Sequence, residues 1–154
     1  MLKILNFFEV SYPIFFLQSL CDDSRVPAMC LVCGAIICSQ CFTKCQTTLK
    51  DGTTVGACTA HTEVCGAGSA GIFLRIRECK VVLLSGRNKG CLIPPPYLDE
   101  YGETDIGLKR GNPLRLCPEK YRKIYKMWLN HSIPEEISHN LESNQLYNPQ
   151  WHHL

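Results

Sequence analysis

The stretch that decides the fold is Cys30-Leu-Val-Cys33 together with Cys58-Thr-Ala-His61-Thr-Glu-Val-Cys65. Two residues separate Cys30 from Cys33, a spacing at which a tight turn can bring both thiols to one ion. Three residues separate His61 from Cys65, which is the spacing of one helical turn. Thiolate and imidazole are ligands that Zn²⁺ prefers, usually four in a tetrahedron. We therefore predict a structural Zn²⁺ at Cys30, Cys33, His61 and Cys65, which would convert metal binding into folding free energy.

Cys58 is an alternative fourth ligand, because a Cys58-x2-His61 pair has an equally acceptable spacing. We prefer Cys65, but the residues alone leave Cys58 open. Three cysteines between the two pairs could hold a second metal, although they lack a distant partner pair. A simpler interpretation is that such cysteines are small buried apolar residues. These three are Cys38, Cys41 and Cys45.

The composition is that of an ordinary globular chain. It has 154 residues, 45% of them hydrophobic and 19% charged, which is typical of one folded domain. The net charge of +2 neither favours nor excludes nucleic acid. The charges form an acidic cluster at 99–105 and a basic run at 109–126, and we interpret both as solvated faces.

Eleven cysteines would indicate disulfides in a secreted chain, so the N-terminus decides the compartment. Residues 1–20 are apolar, but Glu9 and Pro13 interrupt the run and no small-residue cleavage site precedes Cys21. The run is also too short and too broken to span a membrane. We interpret it as a buried helix or strand, or as the atypical start of a truncated chain. A reducing compartment and no membrane are then expected, which favours zinc over disulfides.

The remaining pattern predicts an α+β fold, namely a small zinc-stabilised domain with a short antiparallel sheet followed by C-terminal helices. Between residues 30 and 65 we expect metal ligation to replace a conventional core. Pro118 suits a first helical position, and a capping box at Ser132 opens a second, short helix through Ile137. The predicted strands are 72–77, 80–84, 91–93 and 114–116, and the apolar helical stripe is Tyr121, Ile124, Tyr125 and Trp128.

Pro94-Pro95-Pro96-Tyr97 has two interpretations. It matches the P-P-x-Y ligand of WW domains, a preformed polyproline II segment. It is also a rigid exit from a strand with Tyr97 packed inward, and we favour this second interpretation.

Several segments in order resemble one family. They are 30–34, 56–61, 65–68, 71–79, 96–105, 108–114 and the closing Trp-His-His-Leu at 151–154. The family is the UBR ubiquitin ligases, the N-recognins of the N-degron pathway, and the resemblance is to their C-terminal domain. It covers Ser24 to Leu154. We therefore expect a UBR-ligase-like zinc-binding domain at 24–154. The segment at 1–23 is atypical, and we interpret it as a gene-model start or a truncation.

The resemblance implies a RING-type E3 ubiquitin transferase located in the cytoplasm, with the nucleus as a second location. It implies metal positions at Cys30, Cys33, His61 and Cys65, with Cys58 adjacent. The implied partners are the RING and UBR-box modules and, through them, ubiquitin-charged E2 and N-degron substrates. Neither module is found in this chain. A RING cannot be completed here, because Gly68 stands where a further cysteine is needed. The implied role is a non-catalytic scaffold or regulatory domain, whose packing surface we expect on the β-region and the Tyr121–Trp128 helix.

Three other functions are weighed against this one. The chain could be a stand-alone zinc-binding interaction module without a ligase role. A cysteine such as Cys79 or Cys91 could accept ubiquitin as a thioester, although no neighbouring base is evident. The basic run at 109–126 could bind nucleic acid, but exposed aromatic residues are not interleaved with it. We expect neither catalysis nor nucleic-acid binding.

Overall fold

The computed structural model describes residues 26–39, 45–65 and 70–143. Strands and helices alternate irregularly along these ranges. The strands are β1 (Pro27–Cys30), β2 (Ile36–Cys38), β3 (Thr47–Thr48), β4 (Thr54–Val55), β5 (Ala70–Arg75), β6 (Lys80–Ser85), β7 (Lys89–Ile93), β8 (Tyr97–Leu98) and β9 (Arg115–Leu116). The helices are α1 (Ala57–Cys65), α2 (Pro118–Leu129) and α3 (Ile133–Ser143), with a 3-10 turn at Ile106–Leu108.

The central feature is a five-stranded antiparallel sheet in the order β2-β1-β5-β6-β7. Strands β5 and β6 correspond to the predicted strands at 72–77 and 80–84, and they form a hairpin joined through the turn at 76–79. Strand β7 is the predicted third strand, and the proline run follows it. The long-range element of the topology is the pairing of β1 with β5, which places Cys30 opposite Phe73.

Both faces of this sheet are covered, which explains why its strands alternate only partly in sequence. On β5, Ile72 and Leu74 belong to the core cluster that includes residues of α2 and α3. Phe73 belongs to the opposite cluster, which includes Cys58 of α1. A strand that buries both faces carries apolar residues at successive positions, so period-2 patterning is weak. The α+β fold class with a short antiparallel sheet is confirmed.

The C-terminal helices are close to prediction. Helix α2 has Pro118 at its first position, and its predicted stripe packs on the core. Met127, which the stripe omitted, is also buried. Helix α3 continues to Ser143, beyond the predicted end at Ile137. The predicted capping box is wrong, because the Ser132 N–H, which the Glu135 carboxylate would accept in such a box, donates to the Met127 carbonyl at 3.0 Å.

We expected metal ligation to replace a conventional core between residues 30 and 65, and this expectation is wrong. Strands β1 and β2 are part of the main sheet. Ala28, Cys30 and Ile37 are buried in the same cluster as Phe73. The region therefore contributes apolar burial of its own, at about 25 cal/mol per Å² of apolar surface.

The position of the Tyr97 side chain decides between the two interpretations of the proline run. It is 2% exposed and pairs with Leu116 across β8 and β9. A WW domain needs an accessible tyrosine on a free extended segment. The WW-ligand interpretation is therefore wrong for this fold, and the inward-packed tyrosine is confirmed.

Segment 1–23, Cys41 and the closing segment 151–154 lie outside the described residues. Among the described helices, none is both long and apolar enough to cross a membrane.

Helix α1 lies very close to the sheet at Gly71. A Cβ atom added to Gly71 would be 2.2 Å from Thr62 Oγ1 and 2.7 Å from Phe73 Cε2. Thr62 is held in place because its hydroxyl donates to the Cys58 carbonyl at 2.9 Å. The absence of a side chain at position 71 therefore fixes how closely α1 packs on β5.

We predict that Gly71→Ala destabilises the chain by about 1–3 kcal/mol, because the new methyl group overpacks this contact. Urea unfolding measures the change. Thr62→Ala removes the Oγ1 atom, so it should recover part of the loss when combined with Gly71→Ala. Additive effects of the two substitutions would contradict the contact, since neighbouring residues that clash are energetically coupled.

Candidate metal centre

The first half of the site is the turn that follows β1. Gly34 donates its N–H to the Cys30 carbonyl at 2.8 Å, and Cys30 donates its own N–H to the Ala35 carbonyl at 2.8 Å. Gly34 has a φ of 84°, a left-handed conformation that glycine adopts without strain. The Ala35 N–H then lies 3.4 Å from Cys33 Sγ. The turn thus holds both thiols and supplies a backbone donor to one of them.

The second half is helix α1. His61 and Cys65 are four positions apart, so they lie on neighbouring turns of one face. Cys58 and Thr62 are buried against the sheet and anchor the helix. The ring of His61 meets Phe73 edge-on, with 6.1 Å between ring centroids. Because β5 pairs directly with β1, a helix packed on β5 brings these two side chains to the turn at the end of β1.

The four predicted side chains meet. Their ligand atoms all lie within 4.8 Å of one another. Cys30 Sγ is 3.9 Å from Cys65 Sγ, and Cys33 Sγ is 3.3 Å from His61 Nε2. A tetrahedral zinc with the usual bond lengths would separate such atoms by about 3.6–3.8 Å. The group Cys30, Cys33, His61 and Cys65 therefore has both the donor chemistry and the spacing to hold one metal ion.

Local electrostatics differ among the four ligands. Burial raises the pKa of the Cys30 thiol, and burial together with the neighbouring cysteines raises the pKa of Cys65 to about 12. Burial opposes ionisation of Cys33 as well, but the Ala35 N–H and the thiols of Cys30 and Cys65 donate to it, and its pKa is lowered. Burial lowers the pKa of His61, which favours the neutral imidazole that a metal requires. Metal binding would displace protons from the thiols.

Cys58 lies outside this group. It is 2% exposed, and its thiol lies 3.9 Å from the backbone carbonyl of Cys38. Burial raises its pKa to about 12. Within the described ranges, the group formed by Cys30, Cys33, His61 and Cys65 is the only one that could hold a metal ion, and it includes neither Cys38 nor Cys45.

Two supporting residues went unnoticed in the sequence. Gly34 was detectable, because it directly follows Cys33 and a glycine there suits a left-handed turn. Gly71 carried no such signal, since its role depends on a helix from another part of the chain.

The other candidate residues have different environments. Cys79 and Cys91 are 3% and 5% exposed. Burial raises the pKa of both thiols, that of Cys91 to about 12. A nucleophilic cysteine needs the opposite, a lowered pKa and access to substrate. In the basic run, Arg110 is paired with Asp99 and Glu103 and is not available as a free cation.

Comparisons with known proteins show which family the sequence belongs to. The family model described as Proteolysis_6 C-terminal matches residues 18–130. Mouse E3 ubiquitin-protein ligase UBR2 is 60% identical over 134 residues, which are 86% of this chain and 8% of the relative. Drosophila E3 ubiquitin-protein ligase UBR1 is 55% identical over 134 residues, 86% of this chain and 7% of the relative. Mouse UBR1 is 54% identical over 125 residues, 81% of this chain and 7% of the relative.

The chain thus spans about 8% of the length of the curated relatives it matches. Within this chain the similarity is extensive, because 86% of its residues align with each of two relatives at more than 50% sequence identity. The chain belongs to the Proteolysis_6 C-terminal family, the C-terminal domain of UBR-family E3 ubiquitin ligases.

Proposed function

We propose that this chain is the C-terminal scaffold or regulatory portion of an E3 ubiquitin ligase of the N-degron pathway, and that Zn²⁺ stabilises its fold. The zinc part of the proposal rests on the convergence of four ligand atoms from two distant segments within 4.8 Å. The ligase part rests on the 54–60% identity to UBR-family E3 ubiquitin-protein ligases. Cys30, Cys33, His61 and Cys65 hold the metal. The domain unit extends over residues 24–154.

The metal has a structural role. Three thiolates and one imidazole fill a tetrahedron and leave no position for water or substrate. Cys30 is buried in the sheet and Cys65 is half-buried at the end of α1, so the ion clamps the helix to the sheet. The RING and UBR-box modules of the ligase are the partners, and they connect the domain to ubiquitin-charged E2 and N-degron substrates. The cytoplasm, or the nucleus, supplies the reducing environment that free thiols need.

A stand-alone zinc-binding interaction module is the alternative. It shares the metal site but has no ligase body as a partner. Direct thioester catalysis is disfavoured, because Cys79 and Cys91 are buried and their pKa values are raised.

The metal prediction is tested on the purified chain. We expect one Zn²⁺ per chain by elemental analysis, and loss of that zinc together with a lower melting temperature in Cys33→Ser, because a tetrahedral site lacks one ligand. The matched control is Cys117→Ser, the same chemical change at the N-cap of α2, where a hydroxyl suits the position. An unchanged zinc content and melting temperature in Cys33→Ser would refute the site.

The fourth ligand is tested by comparing the two candidate cysteines. Cys65→Ser should lose zinc as Cys33→Ser does. Cys58→Ala should keep its zinc, but it should lose about 1 kcal/mol of unfolding free energy, because it removes a buried sulfur. The reverse result, zinc retained in Cys65→Ser and lost in Cys58→Ala, would show that Cys58 is the ligand.

The non-catalytic role is tested with E1, ubiquitin-charged E2 and the purified chain. We expect no reducible ubiquitin adduct on the chain, because its described thiols outside the metal group are buried or half-buried. Gel electrophoresis with and without a thiol reductant detects the adduct. A reducible adduct that disappears in Cys79→Ala or Cys91→Ala would support direct catalysis instead.

A further inference from the structure

The candidate metal group contains one thiol that solvent can reach. Cys33 is the only exposed cysteine in the described ranges, whereas Cys30 is 2% exposed and Cys65 is half-buried. Its position explains the difference, because Cys33 lies in the turn between β1 and β2 and not within a strand or a helix. Reagents in solution therefore meet the group at Cys33.

Zinc binding would hold Cys33 in its reactive form. A thiol that coordinates a metal is deprotonated, and the thiolate is the nucleophilic form of cysteine. The Ala35 N–H lies 3.4 Å from Cys33 Sγ and His61 Nε2 lies 3.3 Å from it, so the protein side of the sulfur is in contact with polar groups. Susceptibility to oxidation follows thiolate character and exposure together. Among the described cysteines, only Cys33 combines the two.

Two further thiols lie next to Cys33. The ligand atoms of the group are all within 4.8 Å of one another, so Cys30 Sγ and Cys65 Sγ are both neighbours of Cys33 Sγ. Cys30 is three positions earlier in the same turn, and the ends of such a turn are within about 7 Å of each other, a separation that a disulfide can bridge. An oxidised Cys33 therefore has a thiol beside it with which to react.

The other described cysteines are less suited to this reaction. Cys58, Cys79 and Cys91 are 2%, 3% and 5% exposed, so their thiols are shielded from reagents in solution. Cys45 and Cys117 are half-buried, and both lie outside the metal group. Oxidation at these two positions would leave all four candidate ligands intact.

We propose that Cys33 is a site of oxidation by peroxides, and that its oxidation releases the zinc ion. This inference rests on the proposed function, because it requires the bound metal. The metal group is then a peroxide-sensitive switch. With zinc bound, α1 is clamped to the sheet, and loss of two thiolates opens the clamp.

The reaction with hydrogen peroxide takes place in two steps. The Cys33 thiolate attacks one oxygen, the O–O bond breaks, and Cys33 becomes a sulfenic acid while hydroxide leaves. The thiolate of Cys30 or Cys65 then attacks the sulfenic sulfur, an S–S bond forms and a second hydroxide leaves. Both hydroxides take up protons from the solvent and become water. The peroxide gains two electrons, and the two thiolates lose them.

The disulfide would leave too few ligands for the metal. A structural zinc site needs four protein ligands, and only the imidazole of His61 and one thiolate remain. The free energy that the ion contributes to folding is lost with it. A disulfide is reversible by thiols, so a reductant together with Zn²⁺ restores the site.

The test follows zinc release from the purified, zinc-loaded chain with a chromogenic chelator after hydrogen peroxide is added. Cys33→His supplies an imidazole, which zinc accepts, in place of the exposed thiolate, and this variant is loaded with added Zn²⁺ before the reaction. We expect it to release zinc about tenfold more slowly than the unmodified chain, because its remaining described thiols are buried or half-buried. The matched control is Cys117→Ser, which removes a half-buried thiol outside the group and should release zinc at the unmodified rate.

A second measurement needs no substitution. Dimedone, which reacts with sulfenic acids, is added together with less than one equivalent of hydrogen peroxide, and mass spectrometry locates the label. We expect the label on Cys33 and, when dimedone is omitted, a disulfide that joins Cys33 to Cys30 or Cys65. A thiol reductant should remove this disulfide and allow Zn²⁺ to bind again.

Three results would overturn the inference and leave the zinc proposal intact. They are retention of zinc by the unmodified chain in peroxide, release from Cys33→His at the unmodified rate, and first labelling of a cysteine other than Cys33. Absence of zinc from the unmodified chain, before any peroxide is added, would overturn the zinc proposal itself.

Discussion

The close packing of helix α1 on strand β5 is the contact on which the rest of the site depends. Gly71 leaves room for Thr62, and β5 is paired with β1, so the helix and the Cys30–Cys33 turn are neighbours although they are distant in sequence. A larger residue at position 71 would raise the helix from the sheet and move His61 and Cys65 away from the turn. The metal group is therefore a consequence of a backbone approach, and a bound ion would reinforce a contact that apolar burial already favours.

The sheet separates two halves with different sources of stability. On one face α2 and α3 pack through a conventional apolar core that includes Ile124 and Ile137. On the other face a short helix of nine residues covers a smaller cluster that includes Phe73 and Cys58. Nine residues are too few for a stable isolated helix, so tertiary contacts must hold α1 in place. A metal clamp would be most useful on this second face, where the apolar cluster is smaller.

The loop at 99–112, between β8 and β9, is stabilised by its own charged groups. Charged groups in the 99–112 loop serve the loop's own architecture, since Asp99 and Asp105 are buried acceptors of backbone N–H groups. The apolar groups Tyr101 and Leu108 are exposed instead. Glu100, Glu103, Lys109 and Arg110 of the same loop are exposed, as in an ordinary surface loop, so the two buried aspartates are the exception.

The sequence by itself determined the ligand types of the candidate metal group, because ligand types and short spacings are local properties. It also determined the hairpin at β5–β6 and the start of α2 at Pro118, which depend on neighbouring residues. It could not choose between Cys58 and Cys65, since they lie seven positions apart on nearly the same helical face, about 10 Å along the axis. Only the tertiary structure places the Cys65 end of α1 over the turn and the Cys58 end in the core, because the pairing of β1 with β5 fixes where the helix lies.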